Sequence, residues 1–394
     1  MQSFESAISN AYGTAFAVLN KRFQNVQQVE DALQVACIKA IDKWPTENIV
    51  NFKAWLIKVA TNYILDELKK HKPDYVEHAD TISPVEAAYQ YDDATLGLLF
   101  TCCHPCISQE NQLTLFLKWV MGFDNTSIAR ALLISDKTLE QRITRTKRKL
   151  RANKVDFTLP TQVHLPTRLN AVIKGLYLVF NEGYFGNSGH VLVSNTLCMQ
   201  AIYLMRLVCR TFRGNAASLA LLSLMLFIQA RSPARATNKI ILLSHQDRSK
   251  WNKLQIAEAD VLLQKSLKLG RPTAYHIQAA IAGLHSQALS YQETDWPQII
   301  LLYDKLLTYE YSPVALLNQS VALMELGRWD IAEEKLISIQ ESLRSYAPYY
   351  IAFGYLYKHT HRIKEATRSL KSAYSLSKNA SEKEYLQEQL KRLK

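Results

Sequence analysis

Glycine and proline are scarce in this chain, 12 and 11 of 394 residues. That scarcity argues against folds built on many tight hairpins or on glycine-rich nucleotide-binding turns, and it favours helices. Cysteine is sparse too, and the 6 present are not spaced like the disulfide framework of a small secreted domain. The start, Met1-Gln2-Ser3-Phe4-Glu5, lacks the basic stretch and apolar run of a signal peptide. No segment reaches the roughly 20 apolar residues of a membrane span. The longest apolar run, residues 216–230, is interrupted by Ser218, Ser223 and Gln229 and reads as a buried helix. A cytoplasmic location with no membrane partner is therefore expected. Walker, G-x-S-x-G and H-E-x-x-H motifs are absent as well. Glu182, Asp247, His285 and Asp295 are too scattered to suggest a catalytic set. The expectation is a protein that is not an enzyme and carries no cofactor.

What the chain does have is positive charge. The formal net charge is +12, which suits a polyanionic partner. The charge concentrates in residues 135–151. Ser135 is placed to cap a helix there. Leu139, Ile143 and Leu150 recur on one face of it, and Lys137, Gln141, Arg145 and Arg148 on the other. Just upstream, Asp124 can cap a short helix over residues 125–132, with Leu133-Ile134 as a tight turn. The pattern is a helix-turn-helix whose second helix faces DNA.

The rest of the chain reads as all-α. Ala7, Ala11, Ala15 and Leu19 recur at helical spacing, as do Val29, Leu33, Ala36 and Ala40, and Trp55, Val59 and Tyr63. Periodicity fails over 73–90, where Pro73 and Pro84 suggest a linker, and Pro160 and Pro166 mark a hinge over 157–167. The predicted organisation is a helical domain at 1–72, a second at 91–156, and a helical extension at 168–394. Within the extension, residues 327–336 align with 361–370 at an offset of 34, the tetratricopeptide period. In the second copy Tyr350, Phe353, Gly354, Tyr357, Ala366, Leu370 and Ala373 alternate large and small as that motif requires.

The string Glu30-Asp31-Ala32-Leu33-Gln34, then Trp44-Pro45, then residues 54–70 beginning Ala54-Trp55-Leu56, resembles the second conserved domain of extracytoplasmic-function sigma factors of bacterial RNA polymerase. The helix-turn-helix at 111–151 resembles their fourth domain. The extension resembles that of one subgroup with a tetratricopeptide-like C-terminal part. Its marks here are Arg168-Leu169-Asn170-Ala171-Val172, Tyr177–Tyr184, Gln246–Trp251, Gln278–Ala282, Thr294-Asp295-Trp296 and Ser312-Pro313-Val314. The resemblance implies core RNA polymerase and promoter DNA as partners. It implies polymerase contact by Asp31 and Gln34. At the −10 element it implies Asn51 and Phe52 for a flipped base, Trp55 and Tyr63 for stacking, and Lys58, Asn62, Lys69 and Lys70 for the strand backbone. At the −35 element it implies DNA contact by Lys137, Thr138, Gln141, Arg142 and Arg145, with Lys137, Gln141, Arg142 and Arg145 at base edges or nearby phosphates and Arg148, Lys149 and Arg151 on the backbone. The extension is expected to contact the sigma-like domains within the same chain and to modulate them.

Competing readings remain open. Cys102-Cys103-His104-Pro105-Cys106 contains zinc-type ligands, but adjacent cysteines and a proline wrap a tetrahedral ion poorly, so packing is the preferred reading and no metal is expected. A helix-turn-helix regulator acting without core polymerase would need a dimerisation element and no residues 30–70. A tetratricopeptide-type adaptor would leave the basic run from Arg142 to Lys154 unexplained.

Overall fold

In a computed structural model of the chain, residues 4–44, 49, 51–71, 84–132, 134–185, 191–235, 241–377 and 380–393 are described. Among them there are nineteen α-helices and no strand, so the fold is all-α as expected. The chain forms two compact units that divide near residue 208.

The first unit begins with α1 (Phe4–Phe23), α2 (Val26–Lys43) and α3 (Phe52–His71). Each buries one stripe, as the periodicity requires: Ala15, Phe16 and Leu19 on α1, Val29, Leu33, Ala36 and Ala40 on α2, Leu56, Ala60 and Ile64 on α3. Gln24 (φ 51°) closes α1, its N–H donating to the Asn20 carbonyl, and Asn25 starts the next helix, its side chain accepting from the Gln28 N–H. Next come α4 (Pro84–Cys102), α5 (Gln109–Leu115), α6 (Asn125–Ala131) and α7 (Asp136–Ala152). A π turn over Phe116–Val120 continues α5.

The two halves of this unit share one core. α1 packs against α2, α3, α4 and the π turn. The Phe16 ring stacks on Trp119 at 5.5 Å between centroids, and Phe157 leans on both. The Thr95 hydroxyl donates to that of Thr14 at 3.2 Å, tying α4 to α1. Of the expected linker, residues 73–83 lie outside the described residues, and α4 already begins at Pro84.

The first unit does not stop at the Pro160–Pro166 hinge. α8 (Leu165–Phe185) packs on α4 and α5. Arg168 donates from Nη2 to the Phe100 carbonyl at 2.6 Å and lies over the Phe100 ring. Cys103 fills the space beside Gly175 on α8. The start of the extension is thus part of the first compact unit. α9 (Val191–Thr211) carries the chain on to the second.

The second unit is a series of packed helices. The apolar run forms α10 (Ala216–Gln229), a buried helix flanked by α11 (Lys253–Leu269) and α12 (Ala274–Gln287). No helix among the described residues is long and apolar enough to cross a membrane. Next follow α13 (Trp296–Tyr309), α14 (Pro313–Glu325), α15 (Trp329–Ser338), α16 (Gln340–Leu343), α17 (Ala347–His359), α18 (Ile363–Leu376) and α19 (Ala380–Lys391). The 34-residue repeat appears as two helical hairpins with the same turn. Gly327 (φ 69°) and His361 (φ 60°) both take the left-handed conformation. The next residue of each turn donates back to a matching carbonyl, Arg328 to Leu323 and Arg362 to Tyr357. Glycine adopts that φ readily; histidine holds it under strain. A two-pronged ion pair from Arg362 to Glu333, at 2.9 and 2.7 Å, joins the second hairpin to the first.

Candidate nucleic-acid interface

The basic helix α7 is positioned by two caps and an apolar stripe. The Ser135 hydroxyl accepts from the Thr138 N–H at 3.1 Å, and the Asp124 carboxylate accepts from the Ser127 N–H at 2.8 Å at the start of α6. Burial pushes the Asp124 carboxyl up, but hydrogen bonds from the Ser127 hydroxyl and from nearby backbone N–H groups outweigh it and hold the carboxyl below the usual carboxylate range. Leu139, Ile143, Thr146 and Leu150 are buried. That leaves Lys137, Thr138, Gln141, Arg145, Arg148 and Lys149 exposed. Arg142 is turned aside and half-buried, with Nη2 3.4 Å from Glu110. Of the expected turn, Leu133 lies outside the described residues.

On α3, Trp55, Lys58, Asn62 and Lys69 share one face by the 3.6-residue period, and the last three are exposed. Tyr63 is half-buried off that face. Lys70 is exposed and pairs with Glu67 at 2.7 Å. Asn51 caps α3, its Oδ1 accepting from the Ala54 N–H at 3.1 Å. Phe52 is buried in an aromatic cluster with Phe4, Trp44 and Trp55, so its ring is already engaged by protein. Asn48 and Val50 of the loop before it lie outside the described residues.

Asp31 and Gln34 are exposed on α2, in line with two isoleucines that sequence reasoning passed over. Ile38 and Ile41 are 55% and 57% exposed. They stand off the buried Val29–Leu33–Ala36–Ala40 stripe, and that offset was the available signal. Asp31 and Gln34 also line a cleft of about 550 Å³ together with Glu140, Thr144 and Lys147 of α7. Glu30 closes one side of it, bonded to both Lys147 and Trp119. Residues expected to meet polymerase and the helix expected to meet DNA therefore face one cleft.

The cysteine string ends α4. Cys102 and Cys103 are buried, which pushes both thiols up, that of Cys103 to about 12. The His104 Nδ1 accepts from the Cys106 N–H at 3.1 Å. No cluster of three or more metal-type ligands occurs among the described residues. Of the scattered polar set in the extension, Asp247 and Asp295 accept from the Ser249 and Gln298 N–H groups as helix caps. His285 is half-buried, and its desolvation, with the nearby Arg231 and Arg248 charges, pushes its imidazole down to about 3.

Comparison with known proteins adds three findings. Residues 8–73, which take in most of α1 and all of α2 and α3, match the model of sigma-70 region 2. Residues 168–267 match a family of unknown function (DUF6596). An uncharacterized protein of Rhizobium meliloti (strain 1021) is 36% identical over 402 aligned positions, covering 98% of this chain and 95% of that protein. No solved structure matches.

Proposed function

The chain is a sigma-70 family factor and shares one family, along nearly its whole length, with the uncharacterized Rhizobium meliloti protein; from that premise we propose that it directs RNA polymerase to promoters with −10 and −35 elements. One observation carries the reading. The region 2 match coincides with α1–α3, and in the same compact unit stands a capped helix whose exposed face is basic.

In this reading the α2 stripe of Asp31, Gln34, Ile38 and Ile41 docks on core polymerase. The face of α3 bearing Trp55, Lys58, Asn62 and Lys69 follows the opened −10 strand, where stacking and phosphate contacts tolerate sequence. α7 enters the major groove at −35, with Gln141 and Arg145 at base edges and Arg148 and Lys149 on phosphates. The chain acts by binding and positioning, without catalysis of its own. It belongs with the extracytoplasmic-function branch whose extension is tetratricopeptide-like, as the two hairpins at 34-residue spacing support. The extension modulates the front half, and the seat of α8 on α4 and α5 supports intramolecular contact.

Run-off transcription with core polymerase tests this. The full chain should co-purify with core enzyme and start transcripts on genomic fragments. A comparison fragment should end at residue 208, since a cut at 160 strips α8 from Cys103 and Phe100. If the full chain neither co-purifies with core enzyme nor starts transcripts, the reading is wrong.

A further inference from the structure

Glu325 is the last residue of α14, where the helix dipole disfavours a negative charge. Its carboxylate is half-buried in a groove of about 610 Å³ within the second unit. The Tyr355 hydroxyl donates to it at 3.1 Å, and the Tyr291 hydroxyl faces it. Both phenols are pushed up, mainly by burial and further by this carboxylate, Tyr355 to about 12. Among the described residues no lysine or arginine lies within ion-pair distance of Glu325. Lys358 and Arg392 also line the groove, and neither reaches it.

The surroundings of this charge are aromatic. The Trp296 ring lies 5.2 Å from that of Tyr291, at 67°. The Tyr355 ring lies 4.4 Å from that of His359. A carboxylate with no lysine or arginine partner, in a groove lined by aromatic residues and beside the His359 imidazole, attracts an organic cation by charge, and ring faces lining the groove add their quadrupoles to that attraction. The two tyrosine hydroxyls already occupy part of the carboxylate's acceptor capacity, which favours a cation with few N–H groups. The volume lies in the range of about 300–1,000 Å³ typical of small-molecule sites.

We propose that this groove binds a small organic ammonium ion, with Glu325 as its counter-ion and Tyr291, Trp296 and Tyr355 as its aromatic wall. The site belongs to the extension alone and does not depend on the transcription reading.

The test is calorimetric titration of the full chain with choline and with its uncharged isostere, in which tert-butyl replaces trimethylammonium. Choline should bind at one site, and the isostere at least tenfold more weakly. Glu325→Gln, matched to the parent by circular dichroism and thermal melting, should weaken choline at least tenfold. Equal binding of choline and the isostere would reduce the groove to an apolar surface and overturn the proposal. So would the absence of any choline heat. An oligolysine peptide that displaces choline and binds far more tightly would replace the small ligand by a polypeptide and overturn it too. The choline–isostere comparison is made on the parent protein, so it stands even if the Glu325→Gln variant fails to fold.

Discussion

The Lys147 Nζ lies 2.9 Å from the Glu30 Oε2, while the Trp119 indole N–H donates to Oε1 of the same carboxylate at 2.8 Å. Lys147 and Glu30 side chains are only 19% and 12% exposed, so solvent screens the pair weakly. One carboxylate thus fastens α2 to both α7 and the π turn. Lys147→Met should destabilise the chain by about 1.5–3 kcal/mol, the usual worth of a hydrogen bond to a charged group. Paired with Glu30→Gln in a double-mutant cycle, the two losses should fall short of additive. Urea unfolding measures both. In the proposed role, the same variants should change binding to core polymerase, because Glu30 and Lys147 line the same cleft as Asp31 and Gln34. An unfolding midpoint unchanged in Lys147→Met would mean that the pair does not hold in solution.

The exposed face of α7 makes a second prediction. Replacing Gln141 or Arg145 by Ala should cost about 1–3 kcal/mol and relax sequence preference at the −35 element. Replacing Arg148 or Lys149 should weaken all sequences alike and flatten the salt dependence by about one unit of slope per residue. Arg142 sits beside Glu110, so Arg142→Ala should act less on selectivity than Arg145→Ala. Binding to promoter fragments across a salt series separates the classes. Identical selectivity in all five variants would move the readout off α7.

Ile38 and Ile41 carry the third. Both are more than half exposed, so Ile38→Glu and Ile41→Glu should change stability by less than about 0.5 kcal/mol. Both should sharply reduce co-purification with core polymerase if the α2 stripe docks there. Retained association in the double variant would place that contact elsewhere.

Much of this was legible in the sequence for local reasons. Ser135 with Leu139, Ile143 and Leu150 specifies a capped, one-sided helix within a single stretch of chain, and the helix forms so. The repeat was legible because self-similarity at 34 residues needs no knowledge of contacts. The Glu30–Lys147 bond spans 117 residues, and nothing local in either helix names its partner. The seat of α8 was hidden for a related reason. Pro160 and Pro166 announce a break in the helix, but not which core the next helix joins. Leu169, Val172 and Leu176 carry the periodicity of any buried stripe, and only three-dimensional packing sets it in the first unit. Phe52 was expected to help hold a flipped base, whereas the aromatic residues around it claim its ring.

The buried thiols give a pH prediction. Folding keeps Cys102 and Cys103 neutral well above the ordinary thiol value of 9.0, Cys103 to about 12. In the unfolded chain both ionise near 9. A raised folded value means the contribution is intact below pH 9 and is lost as pH climbs towards 12. Urea stability should therefore fall across that window, and Cys103→Ser should lessen the fall. At neutral pH, alkylation mapped by mass spectrometry should spare both thiols until the protein is unfolded. Prompt native labelling of Cys103 would contradict the packing of α8 over it.

The join between the halves of the first unit can be tested at Gly13 on α1. A Cβ built there would lie 2.6 Å from the Val120 carbonyl oxygen, with the Val120 Cα and C at 3.1 and 3.2 Å. All three atoms are backbone in the π turn, so no flexible side chain can swing away. Two effects oppose each other in Gly13→Ala. Alanine gains about 0.5–1 kcal/mol over glycine inside a helix. Overpacking a close helix contact costs about 1–3 kcal/mol, and a backbone obstacle puts the cost high in that range. The expected outcome is a net loss of about 1–2 kcal/mol. The displaced turn carries Trp119, so its stacking on Phe16 and its bond to Glu30 should loosen together. Tryptophan emission should shift to the red in the native baseline, before any unfolding begins. A variant that is more stable than the parent, with unshifted emission, would show that helix propensity wins at this position and that α1 does not press on the π turn as closely as 2.6 Å requires.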